Sequence, residues 1–190
     1  MKLLPVLIFL CLANGLSAQD TLKIYRWEQV QKANPDTILA IDASKLKWDR
    51  IPEKLYSFKN LKYLNISKNK LEELPHEMGI FKELKTLDAT KNEIDQAPIV
   101  ICQMPKLQRL HLARNEISSL PACIGYLSEL KVLDIWDNPI NVLPEELLNL
   151  KKLEAVDMRS IMLGPQFQQH WLEGMPQVKW YFDAPCHCVE

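Results

Sequence analysis

Residues 61–71, LKYLNISKNKL, begin a unit that recurs three more times at intervals of 23 residues. The matching stretches are LKTLDATKNEI at 84–94, LQRLHLARNEI at 107–117 and LKVLDIWDNPI at 130–140. Each unit also carries a proline at one later offset, and these prolines are Pro75, Pro98, Pro121 and Pro144. Four units without an insertion therefore cover residues 61–152, which is the signature of a protein built from stacked repeats.

The spacing within one unit predicts its local structure. Leu64 and Ile66 alternate with polar neighbours, and this period of two indicates a short, half-buried strand. An asparagine follows each strand, and we expect its amide to satisfy backbone groups in its own and the neighbouring repeat. These asparagines are Asn69, Asn92, Asn115 and Asn138. Weaker units precede and follow the four, with Leu46 and Ile161 in the place of the asparagine.

The pattern L-x-x-L-x-L-x-x-N-x-L-x-x-L-P-x-x-L-x-x-L resembles the leucine-rich repeat family, in its 23-residue form with Leu-Pro in the second half. The resemblance covers about residues 38–182. It implies an α/β repeat solenoid, a horseshoe segment with a parallel β-sheet on the concave face. Short helical or extended segments are then expected on the convex face.

The ends of the chain differ from the repeats. Lys2 precedes an apolar run from Leu3 to Leu12, and small residues follow, which is typical of a secretory signal peptide. The alternative, an uncleaved membrane anchor, would need a longer apolar run, of about 20 residues. We therefore expect a mature chain that begins near Gln19 and does not insert stably into a membrane. We expect this chain to be secreted, periplasmic or at the cell surface.

The sequence predicts the following organisation. A signal peptide (1–18) and an N-terminal helical cap (19–37) precede the repeats (38–177), and a last strand with a cysteine-containing tail (178–190) ends the chain. The repeats span 38–60, 61–83, 84–106, 107–129, 130–152 and 153–177. A second helix is expected from Gln166 to Met175, with Phe167 and Trp171 one turn apart as packing residues of the C-terminal end.

Composition excludes several functional classes. Of the 190 residues, 23 are Lys or Arg and 24 are Asp or Glu, giving a net charge of −1, without the basic excess typical of nucleic-acid binding. Glycines number 5, and neither phosphate-binding loops nor the common hydrolase motifs occur. The sequence predicts a protein that is not an enzyme and needs no cofactor.

The outward strand positions are predicted to form a charge-patterned surface. One column contains Asp42, Asn65, Asp88, His111, Asp134 and Asp157, and a basic row just past the strands contains Lys45, Lys68, Lys91 and Arg114 before Asp137. A further outward column contains Ser44, Ser67, Thr90, Ala113, Trp136 and Arg159. These charges either pair weakly with one another, at roughly 0–1 kcal/mol per pair, or form a recognition surface.

Trp136 is the most informative residue of that surface, because an outward tryptophan has no core to enter. Aromatic and arginine side chains dominate the energetics of interfaces. The candidate partner-binding residues are Tyr63, Arg109, His111, Trp136 and Arg159. The alternative is that Trp136 lies against Arg159 or Arg114 within the protein. The family resemblance implies a non-catalytic interaction module for a protein or peptide of unknown identity.

The cysteines leave a second function open. Cys102 and Cys123 lie in adjacent repeats but two positions out of phase, which favours small apolar packing over a disulfide. Cys186-His187-Cys188 can pair internally, clamp the terminus, or bind a metal together with His170. The alternative function is thus a small metal-binding or hydrolytic protein using this cluster, or a support domain in a surface assembly. We favour no metal site.

Overall fold

The computed structural model describes residues 22–161 and 163–184. Its sheet has eight parallel strands arranged in chain order. They are β1 (Tyr25–Arg26), β2 (Ala40–Asp42), β3 (Tyr63–Asn65), β4 (Thr86–Asp88), β5 (Arg109–His111), β6 (Val132–Asp134), β7 (Ala155–Asp157) and β8 (Lys179–Tyr181). Sheet and sequence order coincide, so each repeat contributes one strand and returns on the other side, as predicted.

The register of the sheet follows the 23-residue repeat. Leu64 pairs with Leu87, Leu87 with Leu110, and Leu110 with Leu133. All four side chains are fully buried. Burying one leucine stabilises the fold by about 1.5–3 kcal/mol, and the identical register stacks these contributions along the whole solenoid.

Short 3₁₀ helices form the convex side opposite the sheet. In the central repeats they span His76–Ile80, Ile99–Gln103, Ala122–Tyr126 and Glu145–Asn149. Each begins directly after a proline in a non-helical conformation, whose missing N–H costs nothing at a helix start. These helices bury Met78, Ile101, Ile124 and Leu147 against the strands. Adjacent helices pack closely, since a Cβ on Gly125 would come 2.6 Å from the Glu146 carbonyl oxygen.

The N-terminal end differs from its prediction. The sequence predicted a helical cap over 19–37, for which we expected one short amphipathic helix that ends before Pro35, whereas the structure has strand β1 and two 3₁₀ segments, Trp27–Val30 and Pro35–Thr37. The strand pairs with β2 and extends the sheet by one member. Val30 is the buried residue of the first segment, so one apolar anchor in four residues replaces the expected apolar helix face.

At the other end, helix α1 spans Pro165–Gly174, where the sequence predicted a helix over 166–175. Trp171 is buried and packs against Phe167 and Trp180. Strand β8 forms within the stretch predicted as the last strand. Within residues 22–161 and 163–184, no helix has the length and apolarity to cross a membrane.

A disulfide joins Cys102 to Cys123, so the expectation of simple apolar packing was wrong. Both cysteines lie in 3₁₀ helices of adjacent repeats, at different positions in the two helices. Two residues of a 3₁₀ helix advance only about 4 Å along its axis, so side chains that are out of phase in sequence still meet. The two Cα atoms lie 5.8 Å apart, within the range that a disulfide spans.

Candidate functional site

The buried asparagines hold the outward surface in place. Asn115 donates from its amide to the carbonyl oxygens of Ala89, at 3.1 Å, and Leu112, at 2.8 Å. Its side-chain oxygen accepts from the N–H of Ile94 at 3.2 Å. Asn69, Asn92 and Asn138 repeat this arrangement, which confirms the predicted role of the asparagines. Each strand end is thereby fixed to the preceding repeat, and the side chains beyond it occupy a regular row.

Most carboxylate and amide side chains on the strand face accept hydrogen bonds from backbone N–H groups. Asp42, Asn65, Asp88 and Asp157 each accept the N–H of the residue two positions later. Such local bonds fix the turn that follows the strand. These side chains therefore have a structural role, whatever else the surface does.

Asp134 departs from that arrangement. Its Oδ2 lies 3.2 Å from Nδ1 of His111, in the neighbouring strand, and its buried Oδ1 has no hydrogen-bond partner among the described residues. The two side chains are 21% and 29% exposed, which leaves the pair accessible at the surface. The pairing uses the register of β5 and β6, in which His111 lies opposite Asp134.

Trp136 is half-buried, and its ring lies under the guanidinium of Arg114 at 5.4 Å. The contact partner is thus Arg114, one of the two arginines considered from the sequence. Arg114 also lies 3.4 Å from Asp137. The outward column that includes Trp136 was only partly predicted, because Ser67 and Ala113 are buried.

The side-chain hydrogen bonds of Arg159 are formed within its own repeat. Its guanidinium donates to both oxygens of Asp157, the shortest contact being 2.6 Å. The hydrogen bond to Asp157 raises the pKa of Arg159, with partial desolvation acting against it. The same guanidinium lies 5.9 Å from the ring of Tyr181 on the last strand, a neighbour that the sequence analysis did not identify.

Among the five candidate residues, Arg109 is the exposed charged side chain that has no partner among the described residues. It makes no ion pair or side-chain hydrogen bond in the described part of the chain, and Thr86 and Val132 lie beside it in the sheet. A guanidinium with uncharged neighbours is available to a carboxylate from outside.

Four of the candidates lie on or just after three adjacent strands, and the fifth lies farther away. Arg109, His111, Trp136 and Arg159 come from three successive repeats, which backbone hydrogen bonds such as Asp137 N to Arg159 O, at 3.0 Å, hold side by side. Tyr63 lies two strands away from Arg109. Burial, followed by the charges of Asp88 and Asp42, raises the pKa of its phenol. Tyr63 therefore belongs to a neighbouring acidic region.

The structure also reveals a recess that the sequence did not indicate. A cavity of about 350 Å³ lies at the N-terminal end of the sheet, beside β1. Its lining consists of Arg26, Glu28, Asp42, Ser44, Lys45 and Leu46. The unpredicted strand β1 places Arg26 here, and the 3₁₀ segment that follows it places Glu28, so no sequence signal could have found the recess.

The alternative site at the C-terminus is only partly described. His170 lies on α1 with Nε2 3.1 Å from Glu145, while Cys186, His187 and Cys188 lie outside the described residues, as does the signal-peptide region. In the described ranges, no group of three or more His, Cys, Asp or Glu side chains is arranged to hold a metal ion.

Comparisons with known proteins agree with the fold. A family model described as "Leucine Rich repeats (2 copies)" matches residues 105–147, and one described as "Leucine Rich Repeat" matches residues 60–80. Comparison with curated proteins finds no match.

Solved structures that share this architecture include bacterial and plant proteins. A leucine-rich repeat protein of Leptospira interrogans matches with a TM-score of 0.67 and 27% identity, over 76% of this chain and 36% of its own. An internalin of Listeria monocytogenes matches with a TM-score of 0.59 and 18% identity, over 77% of this chain and 42% of its own. A plant peptide hormone receptor, solved in complex with RGF2, matches with a TM-score of 0.57 and 27% identity, over 70% of this chain and 22% of its own. The chain thus spans less than half the length of these proteins.

Proposed function

We propose that this chain, a leucine-rich repeat protein, is an exported, non-catalytic interaction module whose strand face binds a protein or peptide. The binding surface is centred on Arg109, His111, Trp136 and Arg159, and Tyr63 contributes at its margin. The observation that carries the proposal is the exposed, unpaired guanidinium of Arg109 on the same sheet surface as the half-buried ring of Trp136, whose repeat is the next one along the sheet.

The two side chains suit different parts of a partner. Arg109 offers a planar fork of donors to a carboxylate, and Trp136 offers an aromatic face. Arg114 already holds the Trp136 ring in position, so little rotamer entropy is lost when a partner covers it. The plant receptor that shares this fold was solved as a complex, which is consistent with this use of the architecture.

Export is supported by the disulfide between Cys102 and Cys123, because such bonds persist in oxidising compartments. A non-catalytic role is supported by the carboxylates of the strand face, since most accept backbone N–H groups or face a cation. Intact mass spectrometry of the native product tests the export part. We expect a chain that lacks residues 1–18, and a chain that retains them would contradict export.

Affinity capture from the native surroundings, followed by affinity measurement with the purified partner, tests the binding part. We expect the Arg109→Ala/Trp136→Ala variant to lose the partner. The matched control, Lys59→Ala/Tyr126→Ala, removes one exposed cation and one aromatic away from the strand face and should retain it. Equal retention by both variants would remove the strand face from the binding site.

A further inference from the structure

Four cationic side chains form a row just past the ends of strands β2 to β5. We call this row the basic ridge, and it consists of Lys45, Lys68, Lys91 and Arg114. All four side chains are exposed. The ridge lies outside the five candidate residues of the strand face, and the proposed function uses it only through Arg114, which holds the Trp136 ring.

The backbone conformation does not account for these charges. The four residues have φ angles of 62°, 58°, 59° and 57°, in the left-handed region that glycine and asparagine enter most easily. The next two repeats place Asp137 and Ser160 in the same conformation, with φ of 56° and 58°. The position thus tolerates an acidic or a neutral residue, and the cations of the ridge need another explanation.

The lysines of the ridge are not engaged within the protein. Lys45, Lys68 and Lys91 make no ion pair and no side-chain hydrogen bond in the described part of the chain. Arg114 is the last cation of the row. Its Nε lies 3.4 Å from Oδ2 of Asp137, which occupies the next position. The ridge therefore has a defined end and three free ammonium groups.

Backbone hydrogen bonds fix the spacing of the row. Lys45 N donates to Ser67 O at 3.0 Å, and Lys68 N donates to Thr90 O at 2.8 Å. Neighbouring strands lie about 4.8 Å apart, so the four backbone positions span about 14 Å. Like charges at this spacing repel one another, and a bound anion would relieve that repulsion.

Acidic side chains flank the ridge. On the strand side it is bordered by Asp42 and Asp88, whose carboxylates are held by the N–H groups of Ser44 and Thr90. Two residues past the ridge, Glu93 and Glu116 are exposed, and Lys47 and Lys70 occupy the same position in the two preceding repeats. A flat anionic membrane or a nucleic-acid duplex would bring its charges onto these acidic side chains, and the whole chain carries a net charge of −1. A narrow, short anionic chain avoids this repulsion.

We propose that the basic ridge binds an extended acidic peptide segment that crosses the strands, with carboxylates on alternate residues. An extended peptide rises about 3.3 Å per residue, so three carboxylates at positions i, i+2 and i+4 span about 13 Å. That length matches the ridge, and the flexible lysine side chains absorb the remaining difference. Asp137 repels the peptide beyond Arg114 and so sets its end.

Fluorescence anisotropy with a labelled octapeptide of alternating glutamate and serine tests this proposal on the full chain. We expect saturable binding at low salt that weakens as ionic strength rises. The Lys68→Ser/Lys91→Ser variant should bind at least about tenfold more weakly. The charge-matched control, Lys32→Ser/Lys59→Ser, should stay within about twofold of the parent. Circular dichroism verifies that both variants are folded.

Three results would overturn the proposal. One is equal affinity of the ridge variant and the parent, and another is an equal loss in the control variant. The third is equal binding of an octapeptide with glutamine in place of glutamate, because charge would then play no part. Competition gives a further check. If a uronate polysaccharide or anionic vesicles displace the peptide at a lower concentration of negative charge than unlabelled peptide does, the assigned partner class is wrong.

Discussion

The middle and the ends of the solenoid are stabilised by different chemistry. In the middle, each buried asparagine joins the backbones of two successive repeats, as Asn92 does by donating to Ile66 O at 3.2 Å and to Ala89 O at 2.9 Å. At the ends, Leu46 and Ile161 occupy the corresponding positions. Aromatic rings pack there instead.

The aromatic clusters at the two ends are built alike. Near the N-terminus, the Trp27 ring lies edge-on to Trp48 at 5.1 Å and 6.3 Å from Phe58. Near the C-terminus, Trp171 lies 5.7 Å from Trp180, which stacks on Phe182 at 5.4 Å. Each asparagine amide bonds to the repeat before it, and position 46 has no full repeat before it. Large apolar rings need only a surface to cover.

Removing an aromatic ring at one end of the solenoid should lower the stability of the fold most. Trp171 is 1% exposed, so Trp171→Ala should lower the free energy of unfolding by about 3–5 kcal/mol. Urea denaturation measures this, and Leu172→Ala, at a side chain 49% exposed, is the neighbouring control. A loss of less than about 1 kcal/mol for Trp171→Ala would show that the C-terminal end is not stabilised by its aromatic cluster.

Breaking the disulfide should have the next largest effect, and it acts in the middle region. The bond closes a loop with a sequence separation of 21, so its removal in Cys102→Ala/Cys123→Ala should cost about 2–4 kcal/mol. A thiol reductant should produce the same loss in the parent and no further loss in the variant. If the reductant also destabilises the variant, the sensitive bond lies elsewhere.

Asn115→Ala tests the polar contribution of the middle directly. The substitution leaves Ala89 O, Leu112 O and Ile94 N without their partner, at a cost of about 1–3 kcal/mol. Because each repeat is stabilised by its neighbours, hydrogen exchange should speed up in the adjacent repeats as well. Asn141→Ala, at an exposed amide, is the control and should leave stability unchanged. Equal stability of the two variants would mean that the asparagines do not couple the repeats.

The smallest expected effect is a pH dependence of stability, which arises from Tyr56 near the N-terminal end. Burial, followed by the charges of Glu77, Glu73 and Glu53, raises the pKa of Tyr56 to about 12 from 10.0. The folded chain then keeps a proton that the unfolded chain loses, so stability falls as the pH rises from about 10 to about 12. Ultraviolet titration of tyrosinate, compared with Tyr56→Phe, measures the midpoint. A midpoint near 10 would contradict the burial of this phenol.

The sequence alone was sufficient for the parts of the fold that repeat. The spacing of Leu64, Ile66 and Asn69 determines a strand, an inward face and a turn, and four copies make the register unambiguous. It was insufficient where a contact depends on geometry between repeats. The disulfide from Cys102 to Cys123 was missed because the 23-residue alignment places these cysteines in different columns.

The candidate site shows the same division. The sequence predicted that Arg109 and Trp136 lie on the sheet surface, since the period of two decides which side chains point outward. It did not decide between Arg114 and Arg159 as the neighbour of Trp136, because both follow strands adjacent to that of Trp136. It also did not identify the exposed apolar and aromatic side chains of the convex face, where Ile99 and Tyr126 are 65% and 80% exposed.

The most direct test of strand-face binding is the affinity of the purified partner for two aromatic variants. Trp136→Ala should weaken binding by about thirtyfold, equivalent to about 2 kcal/mol, because a central tryptophan is a typical hot spot. Tyr126→Ala removes a more exposed ring from the convex face and should change the affinity by less than about twofold. Equal affinities of both variants and the parent, or a larger loss for Tyr126→Ala, would contradict binding through the strand face.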